Sequence, residues 1–497
     1  MFIIQLNLAK YEYDIHSIVK AFYPEMAIKV LTPETEEAKR AELLKEEKAL
    51  HGSICFENDQ VEISFGQQEY NWQWKKELPE GEDAFSHDYK DAFKGFLYKC
   101  LCTQTGKELP WGNMTGIRPT KIAMSMLMEG KSHEEIMAYY QEKHYVSKEK
   151  ALLSIDIAER ERKLLSTLHY EDGYSLYIGI PFCPTTCLYC SFTSYPIGAH
   201  RKRVEQYIDC LIQEMDYVRE VYKDKILDTV YIGGGTPTTL EADQLDRLIT
   251  ALKEHFDFNT VQEFTVEAGR ADSITRAKLE VLYKHGVDRI SVNPQTMNQC
   301  TLDVIGRRHT VEQVKEAYQM AREIGFTNIN MDLILGLPGE DVEEVNYTIE
   351  EVKKLNPDSL TVHSLAIKRA SKLAQWIQTH DISCINNTDE TMAIAVDGAK
   401  AMDMQPYYLY RQKNMSGNFE NVGYAREGKF GIYNILIMEE LQTIVALGAG
   451  SITKRVCNDG RIERCDNVKD VELYIAQIDD MIDRKRKLLG DYQILLA

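Results

Sequence analysis

The chain has 497 residues, 44% of them apolar and 27% charged; it exceeds one ordinary domain, and its balance excludes disordered, fibrous and collagen-like chains. Lysine and arginine number 58 against 77 acidic residues, a net charge of −19, which excludes non-specific nucleic-acid binding and leaves an anionic ligand in need of a local basic pocket. No apolar run of about 18 residues is present to span a bilayer, and the opening Met1-Phe2-Ile3-Ile4-Gln5-Leu6 lacks a basic n-region, so a cytoplasmic protein with no membrane span is expected.

Residues 1–165 read as a separate α+β unit. A short opening strand precedes a charged helical stretch over 35–49. The turn-rich Trp111-Gly112-Asn113-Met114-Thr115-Gly116-Ile117-Arg118-Pro119-Thr120-Lys121 follows, and helical periodicity runs from Ser132 to Leu165. From residue 166 the pattern changes to short β-rich runs, each followed by an amphipathic helix. Strands are expected over 175–180, 229–233, 263–267, 289–293, 328–335 and 359–365, and helices near 204–222, 242–255, 273–285, 311–324, 342–354 and 389–402. Six such βα units predict an α/β barrel or partial barrel over 166–404, with its chemistry at the C-terminal strand ends. Residues 405–497 hold a β-like run at Tyr407-Tyr408-Leu409-Tyr410-Arg411 and a glycine-rich Ala446-Leu447-Gly448-Ala449-Gly450-Ser451, and read as a small C-terminal domain.

Eleven cysteines, an odd number in a long chain, argue against a disulfide framework and for a few chemically employed thiols. Cys183, Cys187 and Cys190 form a CxxxCxxC directly after the first barrel strand. Three thiolates on one tight loop can hold three irons of a cubane and leave the fourth open. Structural zinc, the other use of such thiols, wants four ligands, commonly as two separated pairs, and no partner CxxC or HxxxH stands nearby. Cys100 and Cys102 read as buried thiols.

A CxxxCxxC after a strand resembles that of the radical S-adenosylmethionine (SAM) enzymes. In that superfamily the open iron chelates the methionine end of SAM. One electron from the reduced [4Fe-4S] cluster then splits the sulfonium into methionine and a 5′-deoxyadenosyl radical. The run Tyr177-Ile178-Gly179-Ile180-Pro181-Phe182-Cys183 is similar to the Y-x-H-I-P-F-C of the oxygen-independent coproporphyrinogen III oxidase family, with Gly179 where many members carry His. Phe192 stands where the founding branch has a further cysteine.

Gly233-Gly234-Gly235-Thr236-Pro237-Thr238 closes the second strand, where bare backbone can approach a ligand and offer N–H groups. Glu267 ends the third strand and Asn293-Pro294-Gln295 the fourth, and Asp332 lies in the fifth. Glu267 and Asp332 would otherwise cap following helices. Ile305-Gly306-Arg307-Arg308-His309 resembles the family's G-R-x-H element; otherwise Arg307 is a surface ion pair. The Trp111–Lys121 segment and Thr361-Val362-His363-Ser364-Leu365-Ala366-Ile367-Lys368-Arg369 look like those of the HemZ-type branch.

The resemblance implies a partial (β/α)6 TIM-like barrel. Position by position it puts the cluster on Cys183, Cys187 and Cys190, and the cluster-bound SAM at Tyr177, Gly234 and Glu267. It puts a second SAM at Tyr189, Gly235, Thr236, Gln295, Arg307, Asp332 and Ala366. It further implies a low-potential electron donor of the flavodoxin or ferredoxin type, and conversion of two propionates of the tetrapyrrole coproporphyrinogen III to vinyl groups with loss of CO2. The alternatives are a radical SAM enzyme acting on haem by methyl transfer and ring opening, or a haem-binding chaperone. A tetra-anionic substrate needs cations at the barrel mouth, for which Arg308, His309, Lys368, Arg369 and Arg411 are candidates, or else solvated surface charges.

Overall fold

The computed structural model describes residues 1–24, 26–46, 48–57, 60–73, 87–116, 118–170, 172–368, 371–380, 385–412, 419–457 and 459–490. Two compact units emerge, one of Met1–Ala158 with Tyr410–Glu420, the other of Glu159–Leu409 with Asn421–Ala497.

In the first unit Val61, Ile63 and Phe65 are buried while Gln60 and Glu62 face out, the period-two pattern of a sheet covered on one side. That strand is β4 (Gln60–Phe65) of a five-stranded sheet, with β1 (Phe2–Leu6), β2 (Ile28–Leu31), β3 (Leu50–Glu57) and β5 (Gln68–Gln73), in the order β2-β1-β3-β4-β5. Helices α1 (Glu12–Phe22) and α3 (His87–Thr105) cover it: Ile15, Ile18, Val19 and Phe22, with Tyr89, Phe93, Leu97 and Leu101, join Phe2, Ile4 and Phe65 in one core. The helical stretch expected over 35–49 shrinks to α2 (Glu37–Leu43), which buries no residue; it lacks the apolar stripe that packing needs. The periodicity from Ser132 to Leu165 divides, after α4 (Thr120–Met128), into α5 (His133–His144) and α6 (Lys148–Leu165), because Tyr145 takes a left-handed φ of 58°.

The Trp111 segment is structural here. Gly112 has φ +54° and a Cβ there would lie 1.8 Å from the His144 carbonyl oxygen, so only glycine fits. Trp111 is fully buried, its Nε1 donating to Glu420 Oε2 at 2.7 Å, and Lys150 Nζ donates to the other oxygen at 2.6 Å. Ile117 of that segment lies outside the described residues.

The second unit alternates as expected. β6 (Gly173–Ile180), the short pair β7 (Phe182–Cys183) and β8 (Tyr195–Pro196), α7 (Ile197–His200) and α8 (Val204–Val221) lead into β9 (Ile226–Gly234) and α9 (Ala242–His255). β10 (Glu263–Gly269), α10 (Arg276–Lys284), β11 (Arg289–Val292), α11 (Gln299–Val304), α12 (Val311–Ile324), β12 (Ile329–Leu335), α13 (Val342–Leu355), β13 (Ser359–Ser364), α14 (Lys372–Trp376) and α15 (Asp389–Ala401) continue it. The order β13-β12-β11-β10-β9-β6 is sequential and every neighbouring pair is parallel, the sheet of a (β/α)6 barrel. The longer helices bury an apolar stripe, as α9 does with Leu245, Leu248, Ile249 and Leu252.

Strands after residue 404 join this same sheet. β15 (Asn421–Ala425), beside β14 (Gln405–Tyr410), runs antiparallel to β13. After α16 (Ile432–Glu439), β16 (Thr443–Leu447) pairs parallel with β6 and carries the hairpin β17 (Ile452–Val456) and β18 (Ile462–Asp466). Helices α17 (Val471–Ala476) and α18 (Ile478–Leu489) end the described chain. Among the described residues no helix is long and apolar enough to cross a membrane.

Candidate active site

The thiol loop leaves the barrel at Pro181. Its far side is nailed down by apolar anchors: Leu188 and Tyr189 pack on Leu302, Ile305, Ile334, Leu337, Leu365 and Leu373. Leu188 N–H donates to the Ile305 carbonyl at 2.9 Å and its own carbonyl accepts from Leu373 N–H at 2.9 Å. Thr185 Oγ1 donates to the Gly306 carbonyl at 3.0 Å. Cys183 and Cys187 are buried and Cys190 is half-buried. Burial, with Cys187 and Cys190 nearby, pushes the Cys183 thiol up to about 11, and burial also raises Cys190. Such thiols ionise when a cation binds them.

Beside the loop runs the glycine turn at the end of β9. Gly235 N–H donates to the Ile180 carbonyl and Thr236 N–H to the Phe182 carbonyl, each at 2.7 Å. A Cβ on Gly235 would meet the Phe182 oxygen at 2.6 Å, and Gly234 holds φ +111°. The turn is glycine because backbone lies against backbone there. Thr236 Oγ1 is 3.5 Å from Cys183 Sγ.

Register carries the remaining polar groups to one face. Tyr177 pairs with Tyr231, Tyr231 with Thr265, Thr265 with Arg289, Ser291 with Asn330, and Asp332 with Thr361. With side chains alternating along each strand, Tyr177, Tyr231, Glu267, Asp332 and His363 therefore share a face. All five are half-buried in strands otherwise almost wholly buried. Tyr231 Oη donates to Glu267 Oε1 at 2.5 Å, and Tyr177, Tyr231 and Tyr433 stack, with Tyr231 and Tyr433 centroids 4.4 Å apart. Burial pushes the Glu267 carboxyl up to about 7; the Tyr231 hydrogen bond works against this and the Asp332 charge adds to it. Burial likewise lowers the His363 imidazole. Neither Glu267 nor Asp332 caps a helix: both lie inside strands, Asp332 accepting from Asn330 Nδ2 at 2.7 Å.

Gln295 sits just past β11 with φ 69°, its N–H donating to the Asp332 carbonyl at 2.9 Å. Its buried Oε1 and Asn293 Oδ1 have no hydrogen-bond partner among the described residues. Arg307 is no surface ion pair: it is 5% exposed, its Nη2 donates to Tyr189 Oη at 3.1 Å and its Nη1 to the Asn293 carbonyl. Burial opposes its charge, but Tyr189 and Cys187 beside it hold it above its usual value. Ala366 lies two residues beyond β13, half-buried.

The cations expected for substrate part company. Lys368 is half-buried, its Nζ 5.6 Å from the ring centre of Phe192, which is 72% exposed; burial lowers its ammonium, with Cys190 countering. Arg308 is exposed. His309 is fully buried with Nδ1 3.7 Å from Asp272, and burial lowers it, so it supports the loop rather than a mouth. Arg411 belongs to the other unit, donating to the Met114 carbonyl at 2.7 Å over the Trp111 ring. Arg369 lies outside the described residues. Two contributors had no sequence signal of their own. Tyr231 read only as a strand residue. Arg270 lies in the turn after β10, Nη1 donating to Thr185 and reaching Cys187 Sγ at 3.8 Å.

The Radical SAM superfamily matches residues 177–352. The oxygen-independent coproporphyrinogen-III oxidase-like protein HemZ of Bacillus subtilis (strain 168) is 42% identical over 412 residues, 80% of this chain and 82% of its own. The heme chaperone HemW of Lactococcus lactis subsp. lactis (strain IL1403) is 38% identical over 194 residues, 39% of this chain and 49% of its own. The oxygen-independent coproporphyrinogen III oxidase of Salmonella typhimurium (strain LT2) is 35% identical over 196 residues, 39% of this chain and 42% of its own. The structure of coproporphyrinogen III oxidase (HemN) from Escherichia coli shares the fold, with TM-score 0.52 and 24% identity over 67% of this chain and 73% of that one.

A radical SAM family implies a [4Fe-4S] cluster and SAM, and the residues fit both. Among the described residues no three His, Cys, Asp or Glu groups are placed to hold a single metal ion; a cubane, which offers a separate iron to each thiolate, needs no such convergence. The glycine turn gives close backbone approach, and the unpartnered Gln295 and Asn293 oxygens offer acceptors beside the loop. The chain belongs to the radical SAM superfamily, and within it to the family of oxygen-independent coproporphyrinogen III oxidase-like proteins.

Proposed function

We propose that this chain is an oxygen-independent coproporphyrinogen III dehydrogenase, turning two propionates of coproporphyrinogen III into vinyl groups to give protoporphyrinogen IX. The observation that carries the reading is the reach of the HemZ likeness: 412 aligned residues extend far beyond the 177–352 of the superfamily match. By sequence the oxidase match covers 39% of the chain and the chaperone matches cover 39% to 61% of it, and they do not discriminate. When bound, the cluster and SAM would supply a radical able to take a hydrogen from the propionate β-carbon; loss of CO2 and of one electron to an external one-electron acceptor would then leave the vinyl group.

In this reading Cys183, Cys187 and Cys190 hold the cluster. Gly234 admits the cluster-bound SAM against bare backbone, and Tyr177 and Glu267 receive its polar end. Tyr189, Gly235, Thr236, Gln295, Arg307, Asp332 and Ala366 form a second SAM position. Lys368 pairs with a substrate carboxylate while the Phe192 ring covers a pyrrole. Residues 166–404 carry the radical chemistry, with 1–165 as an N-terminal α+β domain and 405–497 as a family-specific C-terminal part built onto the barrel sheet. A flavodoxin- or ferredoxin-type protein in the cytoplasm supplies electrons.

One observation favours a second reading. Phe192, 72% exposed where the founding branch has a cysteine, suits a protein that carries haem as passenger. The deciding experiment is an anaerobic reaction of the reconstituted protein with SAM, a low-potential reductant and coproporphyrinogen III. Protoporphyrin formed in step with 5′-deoxyadenosine, at about two SAM per substrate, is the expected result. Stoichiometric haem binding without porphyrinogen turnover would reject the dehydrogenase in favour of the chaperone. Deoxyadenosine without protoporphyrin, and with haem consumed, would move the reading to a haem-acting enzyme.

A further inference from the structure

We propose that Arg270 is a positioning residue of the thiol loop that donates to the Cys187 sulfur and so raises the reduction potential of the cluster held there. Arg270 is 3% exposed, and a guanidinium so buried is costly unless its N–H groups are used. Asp272 grips one edge, accepting from Nε at 3.0 Å and from Nη2 at 2.6 Å. That fork aims Nη1 at the loop, where it donates to the Thr185 carbonyl at 2.9 Å and Thr185 Oγ1 at 2.7 Å and lies 3.8 Å from Cys187 Sγ. Buried His309 also stands near Asp272, its Nδ1 3.7 Å from Oδ1.

Holding Thr185 would not require a charge, since a neutral amide could donate there as well. What a guanidinium adds is a charge-assisted donor to sulfur. Adding an electron to an iron–sulfur cluster increases negative charge on its cysteine sulfurs, so an N–H aimed at one of them stabilises the reduced form more than the oxidised, and the potential rises. The Asp272 carboxylate offsets part of the long-range field of the guanidinium, which leaves the directed N–H as the main influence of Arg270 on the sulfur, beside that of Arg307, which also reaches Cys187. The consequence for function is that a donor of less extreme potential can charge the cluster.

The inference rests on the cluster and not on the tetrapyrrole reading. Its test uses neither SAM nor substrate, so failure of either idea is separately visible. Full-length wild type, Arg270→Gln and Arg270→Lys would be reconstituted anaerobically, assayed for iron and sulfide, and titrated against potential by electron paramagnetic resonance. The Gln variant should bind iron as wild type does while its reduced-to-oxidised ratio at a fixed potential falls about tenfold, about 59 mV for one electron. The Lys variant, which keeps charge but not the fork, should fall between. An unmoved midpoint in the Gln variant overturns the proposal. If that variant alone loses iron, the Lys midpoint decides, a lowered one supporting the proposal and an unmoved one overturning it. Loss of iron from both makes Arg270 a holder of the loop and nothing more, which also overturns it.

Discussion

At the scale of single residues, environment rather than identity sets the chemistry. Cys187→Ala should remove one iron ligand and abolish both cluster assembly and SAM cleavage; undiminished iron content would refute its assignment. Glu267 gives a pH-dependent outcome. Its carboxyl is raised from 4.5 to about 7 by burial, so the folded state holds a proton that the unfolded chain has released. The resulting stabilisation is full below about pH 4.5 and is lost as pH rises through about 7. Glu267→Gln, which cannot ionise, should therefore stabilise the cofactor-free protein at pH 8 by about 1 to 2 kcal/mol, discounted for partial solvent access. The gain should close as pH falls from 7 to 4.5. Thermal melts of both proteins at pH 5 and pH 8 check this; equal shifts at the two pH values would contradict it. SAM affinity should fall in the same variant, because an amide is a poorer acceptor than a carboxylate.

At the scale of elements, the joint between β9 and the thiol loop carries the most constraint. Gly235→Ala would press a methyl against the Phe182 oxygen at 2.6 Å, and backbone on both sides must then move. A stability loss of about 1 to 3 kcal/mol is expected, with reduced iron content because Cys183 follows Phe182. Gly428→Ala, with φ +74° but nothing within 4 Å of its Cβ, serves as the control and should keep its iron. The glycine run and CxxxCxxC were legible in the sequence because each is a local arrangement whose parts lie within a few residues. Arg270 was not legible: its partners Thr185 and Cys187 lie more than eighty positions away, and Gly-Arg-Ala-Asp carries no pattern that points to them. Tyr231 escaped for a similar reason. Within its strand it is one aromatic among apolar neighbours, and only register sets its hydroxyl on Glu267.

At the scale of the whole molecule, the second unit is closed by its last helix. Lys485 on α18 and Glu214 on α8 form a fully buried ion pair at 2.5 Å, and Glu214 also accepts from Tyr474 Oη and Gly448 N–H. Lys485→Met should cost about 3 to 5 kcal/mol, since it strands a buried carboxylate. Glu214→Leu together with Lys485→Met should recover part of that loss in denaturant unfolding. A single variant as stable as wild type would show the pair to be dispensable.

The sequence by itself determined the barrel and its cofactor loop. Strand and helix periods and cysteine spacing are short-range properties that a chain reads out residue by residue, and they placed the six βα units within a few residues of where they fold. Tertiary structure alone decided where the ends of the chain go. The elements of the first unit are short, and their sheet order β2-β1-β3-β4-β5 is one that no local pattern encodes. β15 and β16 extend the barrel sheet at its two edges, in pairings that no local pattern encodes. It also sorted the cations, leaving Lys368 near Cys190 and burying His309 and Arg411 elsewhere, because the position of a long charged side chain depends on which distant carboxylate or carbonyl satisfies it.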